Sequence, residues 1–230
     1  MKSDLPKVLV EVAGRPMIEY LLEALRAGGV DQILVVVGYR GPLVRQTLEN
    51  YPDVAFVEQT EQLGTGHAVM MCREQLAAHM GSVLIVAGDS PLTQADSVRT
   101  LLDQFDRQQP ACLIGTAKSE DPAGLGRIVR DADGKFQAVV EHKDATAEQR
   151  QITEVNMSTY VFAAGELLHA LDRLTNDNIQ QEYYITDCPG ILKSEGKTVL
   201  AECVLQPCEA LSINTIEDLA AVEAEMKRQA

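Results

Sequence analysis

The chain has 230 residues, with 20 Lys+Arg against 34 Asp+Glu for a formal net charge of −14. At 46% hydrophobic residues it is not a disordered segment, and its length suffices for one large domain or two small ones with a substantial core. The acidic balance excludes a sequence-independent grip on nucleic acid, which needs a basic surface, but leaves room for a small phosphate ligand in a locally basic pocket.

Apolar runs such as Ile33–Val37 and Val83–Ala87 fall far short of the ~20 residues of a membrane span, and no apolar stretch follows Lys2 as in an export signal. The cysteines (Cys72, Cys112, Cys188, Cys203, Cys208) are odd in number and scattered, with no C-x-x-C pair. Neither a zinc site nor a redox motif is expected; buried free thiols in a reducing cytoplasm are. No membrane or nucleic-acid partner is expected, and the sequence does not specify an oligomeric state.

In chain order, Met17, Ile18, Leu21, Leu22 and Leu25 form a helical stripe, closed by Gly28-Gly29. Ile33–Val37 is a β-branched run suited to a strand buried on both faces. A short helix at Pro42–Glu49, a strand at Val54–Val57, a helix at Thr65–His79 and a strand at Val83–Ala87 follow. Gln94–Gln108 reads as a helix and Cys112–Thr116 as a strand. This βαβα rhythm predicts a mostly parallel, doubly wound sheet with helices on both faces, a Rossmann-like α/β fold.

The rhythm then breaks. Arg127–Arg130 and Phe136–Glu141, joined through Asp131-Ala132-Asp133-Gly134, give a hairpin signal. A strand at Met157–Phe162, helices at Glu166–Arg173 and Tyr183–Glu195, a strand at Thr198–Val204 and a helix at Ile216–Lys227 complete the pattern. Without repeats or linkers, 1–230 reads as one domain, with 1–117 doubly wound and 118–230 carrying an antiparallel insertion.

Ligands of such sheets sit at the carboxyl ends of the strands, where Gln59-Thr60-Glu61-Gln62-Leu63-Gly64-Thr65-Gly66-His67 and Gly88-Asp89-Ser90-Pro91-Leu92 lie. Ser3-Asp4-Leu5-Pro6-Lys7-Val8-Leu9, Glu61 to Ala68 (E-Q-L-G-T-G-H-A), Gly124-Leu125-Gly126-Arg127-Ile128, Glu141-His142-Lys143-Asp144-Ala145-Thr146 and Asn176 to Asp187 recur in order and at similar spacing in one family. In all of these the chain resembles the bacterial N-acetylglucosamine-1-phosphate uridyltransferases, members of the nucleotidyltransferase superfamily. Any one motif is weak; five in register are specific.

The resemblance implies that UTP and N-acetylglucosamine 1-phosphate give UDP-N-acetylglucosamine and pyrophosphate, with Mg²⁺. By the same resemblance Lys7 contacts phosphate, and Asp89 and Asn214 are the metal ligands. Gln59, Gly64, Thr65 and Gly88 bind the nucleotide; Gly126, Glu141 and Asn156 bind the acetylated sugar. Each has a plainer reading: Lys7 a solvated lysine, Gly64-Thr65-Gly66 a strand-to-helix turn with a cap, Asp89 a cap, Glu141 an exposed hairpin carboxylate. His67 reads as structural, and Tyr183 and Tyr184 as helix packing.

Four departures bear on the sugar. Asn156-Met157-Ser158 stands for the family's N-T-G, Ala87 and Leu125 for tyrosines, and Ser90 for an apolar residue. Asn214 lies in Ser212-Ile213-Asn214-Thr215 rather than G-V-N-x. The family's opening strand and phosphate-wrapping loop, L-A-A-G-x-G-T-R-M, has no counterpart, because Met1 aligns with the loop's last methionine. The expectation is a start lying upstream; the alternative is a short, poorly stable or noncatalytic sugar-nucleotide-binding relative. No acetyl-CoA chemistry is expected, since no hexapeptide-repeat domain follows.

Overall fold

A 3₁₀ turn at Lys7–Leu9 leads into the short antiparallel strands β1 (Glu11–Val12) and β2 (Arg15–Pro16), then α1 (Met17–Ala27), in a computed structural model that describes residues 5–229. β3 (Ile33–Val37), α2 (Gly41–Thr47), β4 (Val54–Glu58), α3 (Thr65–Met70), α4 (Arg73–Ala78), β5 (Ser82–Ile85), α5 (Ala95–Gln108) and β6 (Cys112–Lys118) follow. β7 (Arg127–Arg130), β8 (Phe136–Val140), β9 (Glu154–Ala163), α6 (Ala164–Leu171), α7 (Asp187–Ser194), β10 (Val199–Cys203) and α8 (Ile216–Gln229) complete the order. The opening Ser3-Asp4 of the first motif, the question of the start at Met1 and the last residue, Ala230, lie outside the described residues. The chain divides into two compact units: Met1–Thr60 with Ala87–Arg99 and Gln206–Ala230, and Glu61–Val86 with Thr100–Leu205.

In the first unit, α1 buries the stripe expected of it, Met17, Ile18, Leu21, Leu22 and Leu25. Gly28 ends the helix where a Cβ would lie 2.4 Å from Val98 Cγ1, so only glycine lets the two segments touch. β3 and β4 pair in parallel from Ile33↔Val54 to Val37↔Glu58. Arg26 makes a forked pair with Asp53, at 2.6 and 2.9 Å, that fastens the end of α1 to the turn before β4 and holds the Asp53 carboxyl below its ordinary range. Val12, Met17, Leu92, Ile213 and Val222 form a core cluster.

The second unit is built on a mixed sheet. β9 runs antiparallel between β5 and β6, so that Val161 lies opposite both Leu84 and Leu113. β10 adds to β6 in parallel. The expected hairpin forms as β7–β8 and joins β9 at Arg127↔Val155. Its turn is held by Asp131 Oδ1, which accepts the N–H groups of Asp133 and Lys135 at 3.0 and 2.8 Å. Leu101, Phe105, Leu113, Ala117, Val155, Val161 and Leu205 pack together. The parallel pairing suggested by the sequence is thus kept in β3–β4 and β6–β10, while the ten-residue strand β9 pairs antiparallel with β5, β6 and β7.

Local expectations shift in three places. The single helix read at Thr65–His79 is two, because the Cys72 N–H turns to the Val69 carbonyl at 3.0 Å and ends the first. The helix read from Tyr183 starts at Asp187, because the N–H groups of Tyr183 and Ile185 are bonded to the Leu63 carbonyl and to Thr65 Oγ1. All five cysteines are free, but only Cys72, Cys112 and Cys188 are buried; Cys203 is exposed and Cys208 half-buried. No described helix is long and apolar enough to cross a membrane.

Candidate active site

In the first unit, Lys7 lies in the turn set by Pro6, Asp89 follows Gly88 in the segment after β5, and Asn214 stands before α8. The Lys7 ammonium donates to Asp89 Oδ2 and, at 2.7 Å, to Asn214 Oδ1. The Asn214 amide is oriented by its own Nδ2, which donates to Ser212 Oγ at 3.3 Å, leaving the oxygen toward Lys7. Its backbone is fixed by the start of α8. Asp218 Oδ2 accepts the N–H groups of Asn214 and Thr215 at 2.9 and 2.8 Å, and Thr215 Oγ1 accepts that of Asp218 at 3.1 Å. This is a reciprocal cap, and those backbone donors hold the Asp218 carboxyl below its ordinary range.

Gly88 belongs to the same cluster: a Cβ there would stand 3.3 Å from Val8 Cγ1, so glycine lets its segment approach the Lys7–Leu9 turn. Gln59 follows β4, its N–H donating to the Val37 carbonyl at 2.8 Å and extending the β3–β4 ladder. The Lys7 and Asp89 side chains keep 40% and 27% of their surface, so both are reachable from solvent. A carboxylate oxygen and an amide oxygen turned to one cation are a hard-oxygen donor pair. Among the described residues no group of three or more His, Cys, Asp or Glu could hold a metal. Two hard oxygen donors would suit a divalent cation that also keeps substrate oxygens.

In the second unit, Gly64 and Thr65 clamp the segment Glu182–Ile185. Gly64 has φ +102°, and a Cβ on it would lie 2.5 Å from the Tyr183 carbonyl oxygen. Gly66 donates to that oxygen at 2.7 Å, Tyr183 donates to the Leu63 carbonyl at 2.8 Å, and Thr65 Oγ1 accepts from Ile185 at 3.1 Å. The strand-to-helix turn forms with Gly64 as N-cap, which has no side chain to bond the first turn, while the Thr65 hydroxyl accepts from Ile185. His67 and Tyr183 stack at 6.3 Å; Tyr183 and Tyr184 lie before α7 rather than in the helix expected there, and Tyr184 lines a cavity.

Gly126, Glu141 and Asn156 come together. The Gly126 carbonyl accepts the Asn156 N–H at 2.8 Å. A Cβ on Gly126 would stand 3.4 Å from Asn156 Cβ and 3.5 Å from Glu141 Oε1. Beside them lies a cavity of about 250 Å³ lined by, among others, Val139, Glu141, Asp144, Tyr184 and Asp187. Glu141 is not the exposed carboxylate of the plainer reading: burial pushes its pKa up, helped by Asp144 and Asp187. Burial also raises that of Asp187. An acidic, half-buried hollow with an amide beside it suits the hydroxyls of a sugar, which donate to carboxylates; it does not suit phosphate.

The sequence reading passed over Asp144 and Asp187, although both lie in the quoted motifs E-H-K-D-A-T and Y-Y-I-T-D. It also missed Tyr160, whose hydroxyl donates to Asn156 Oδ1 at 2.9 Å. The available signal was a tyrosine within an apolar strand, since a buried phenol needs a partner.

The MobA-like NTP transferase domain matches residues 1–188. The chain is 42% identical over 229 residues to bifunctional protein GlmU of Streptococcus gordonii, covering 100% of this chain and 50% of that protein. To the same-named protein of Geotalea daltonii it is 40% identical over 220 residues, 96% of this chain and 48% of that one. The chain thus spans about half the length of these curated relatives. Among solved structures, a UDP-glucose pyrophosphorylase complexed with UDP-glucose superposes with a TM-score of 0.76 at 13% identity, over 98% of this chain and 92% of that one. HddC from Yersinia pseudotuberculosis gives 0.71 at 17% identity, with 98% and 92% covered. These two show the fold alone. With a domain match over most of its length, the chain is a nucleotidyltransferase and belongs to the MobA-like NTP transferase family.

Proposed function

We propose that this nucleotidyltransferase joins UTP to N-acetylglucosamine 1-phosphate, giving UDP-N-acetylglucosamine and pyrophosphate. The observation that carries the reading is the meeting of Lys7, Asp89 and Asn214 on one small polar surface. It is supported by the 42% identity to bifunctional protein GlmU and by the acidic sugar-sized hollow at Glu141. We take 1–230 as one transferase domain working in the cytoplasm, where UTP is made.

A phosphate oxygen of the sugar 1-phosphate attacks the α-phosphorus of UTP. The bond to the bridging oxygen breaks, and pyrophosphate leaves with that electron pair. The attacking phosphate is largely ionised at neutral pH, its second pKa being about 6 by analogy with phosphorylated side chains, so no general base is required. The protein's task is positioning and charge neutralisation. Asp89 and Asn214 would hold Mg²⁺, which when bound supplies charge neutralisation at the phosphates. Lys7 releases its two oxygens and pairs with phosphate. Gln59, Gly64, Thr65 and Gly88 receive the nucleotide; the Thr65 hydroxyl, which accepts from Ile185, keeps its own O–H free to donate. Gly126, Glu141 and Asn156 receive the sugar.

The test is pyrophosphate release from UTP and Mg²⁺ with a panel of sugar 1-phosphates. The highest rate is expected with N-acetylglucosamine 1-phosphate. An equal or higher rate with glucose 1-phosphate would overturn the sugar assignment, and no release with any sugar would overturn the transfer.

A further inference from the structure

We propose that Tyr160 is a positioning residue that fixes which face of the Asn156 amide is offered to the sugar. The inference rests on the reading of Asn156 as a sugar contact and adds a device that selects the kind of group Asn156 can recognise.

The amide orientation follows from the donors around it. A backbone N–H can only donate, so the Asn156 atom that Ser158 N–H meets at 3.3 Å is the oxygen, Oδ1. The Tyr160 hydroxyl, 2.9 Å from the same oxygen, must then donate to it as well. An amide oxygen has two lone pairs, and both are taken. What remains of the side chain is the NH₂ group, a donor only. Asn156 is buried, with 6% of its surface left, and the NH₂ is the one group of its side chain without a partner among the described residues.

The contact exists because β9 is bulged. In a regular strand, residues four apart are separated by about 13 Å, beyond hydrogen-bond reach across the strand. Here Tyr160 lies opposite Ile114 and Asn156 opposite Thr116, so Met157 and Ser158 are extruded between Thr159 and Asn156. On the ladder the two residues are only two steps apart and on the same face, about 7 Å by the same rise. Ser158 takes φ +50° to make the turn, and the turn delivers its own N–H to Asn156. Tyr160 is fully buried, its ring 6.0 Å from that of Phe162, and burial drives the phenol pKa upward, so the hydroxyl keeps its proton and remains a donor. Neither partner of Oδ1 can exchange its role, which makes the remaining NH₂ a fixed reader of an acceptor oxygen on the sugar.

The test is calorimetric titration of the whole protein with UDP-N-acetylglucosamine and with UDP. Tyr160→Phe keeps the ring and deletes only the donor; it is expected to weaken UDP-N-acetylglucosamine binding about fivefold to tenfold while leaving UDP unchanged. In an Asn156→Ala background the same change is expected to add nothing, because its effect passes through Asn156. Asn156→Asp keeps the oxygen for Ser158 and Tyr160 but has no NH₂, and is expected to weaken the sugar nucleotide at least as much. Unchanged sugar-nucleotide affinity in Tyr160→Phe, or its full effect persisting without Asn156, would overturn the inference. Should Tyr160→Phe fail to fold, wild-type affinity in Asn156→Asp would overturn it instead. If wild-type protein binds UDP-N-acetylglucosamine no better than UDP, the underlying sugar-site reading fails, and that outcome is distinct because it precedes any substitution.

Discussion

Lys7 and Asp89, 82 positions apart, form an ion pair whose ammonium is shared with Asn214. Both side chains are partly exposed, and such pairs contribute at most about 1 kcal/mol to stability. The pair is a weak fastening, so losing it should cost the fold little.

Asp89→Ala is therefore expected to abolish Mg²⁺-dependent pyrophosphate release while shifting the melting temperature by only about 2–4 °C. Rate assays and thermal unfolding read the two effects separately. Retained turnover would remove Asp89 from the metal site, and a melting temperature lower by much more would make the residue structural.

Two glycines with positive φ should behave differently. Gly64→Ala places a Cβ 2.5 Å from a backbone oxygen at φ +102°, and is expected to cost at least about 2 kcal/mol in urea unfolding. Gly29→Ala, at φ +98° with nothing within 4 Å, should cost only the conformational penalty of about 1 kcal/mol. Equal losses would mean that close approach to Tyr183 is not what Gly64 provides.

Ser158 and Gln181 hold φ +50° and +54°, the left-handed region that glycine occupies without strain. Their backbone bonds, Ser158 N–H to Asn156 and Gln181 N–H to the Asn178 carbonyl, survive replacement. The left-handed penalty of about 1–2 kcal/mol exceeds the entropic cost of glycine, so Ser158→Gly and Gln181→Gly should each stabilise by about 0.5 kcal/mol. A lower melting temperature in either would contradict this.

Glu209 is buried and accepts from Ser97 Oγ at 2.6 Å, Gln206 N–H at 2.7 Å and Gln94 N–H at 3.0 Å. Burial raises its pKa above 4.5, and these donors oppose the rise without cancelling it. A carboxyl raised in the folded state favours the protonated form there. Its stabilising contribution is full below the unfolded value and is lost as pH rises through the folded one. Unfolding free energies of wild type minus Glu209→Gln should therefore fall as pH rises from below 4.5 and then level off. A difference that rises with pH would contradict the assignment.

The sequence by itself determined the local structure. The α1 stripe, β3 with its β-branched residues, the β7–β8 hairpin and α8 lie where periodicity and turn residues put them, because each depends on neighbours within a few positions. The resemblance also implies site roles for Lys7, Asp89 and Asn214, and for Gly126, Glu141 and Asn156, residues that the fold brings into two clusters. Only the tertiary structure decided what those groups face. The helix read from Tyr183 gives up its first turn because Leu63 and Thr65, more than a hundred positions earlier, take its N–H groups. The strand β9 enters between β5 and β6, and its bulge sets Tyr160 on Asn156. Pairing across long loops is a competition among distant hydrogen-bond partners, which no window of sequence contains. The chain's amino acids fixed which groups are present, and long-range pairing fixed which of their lone pairs and protons remain open to a substrate.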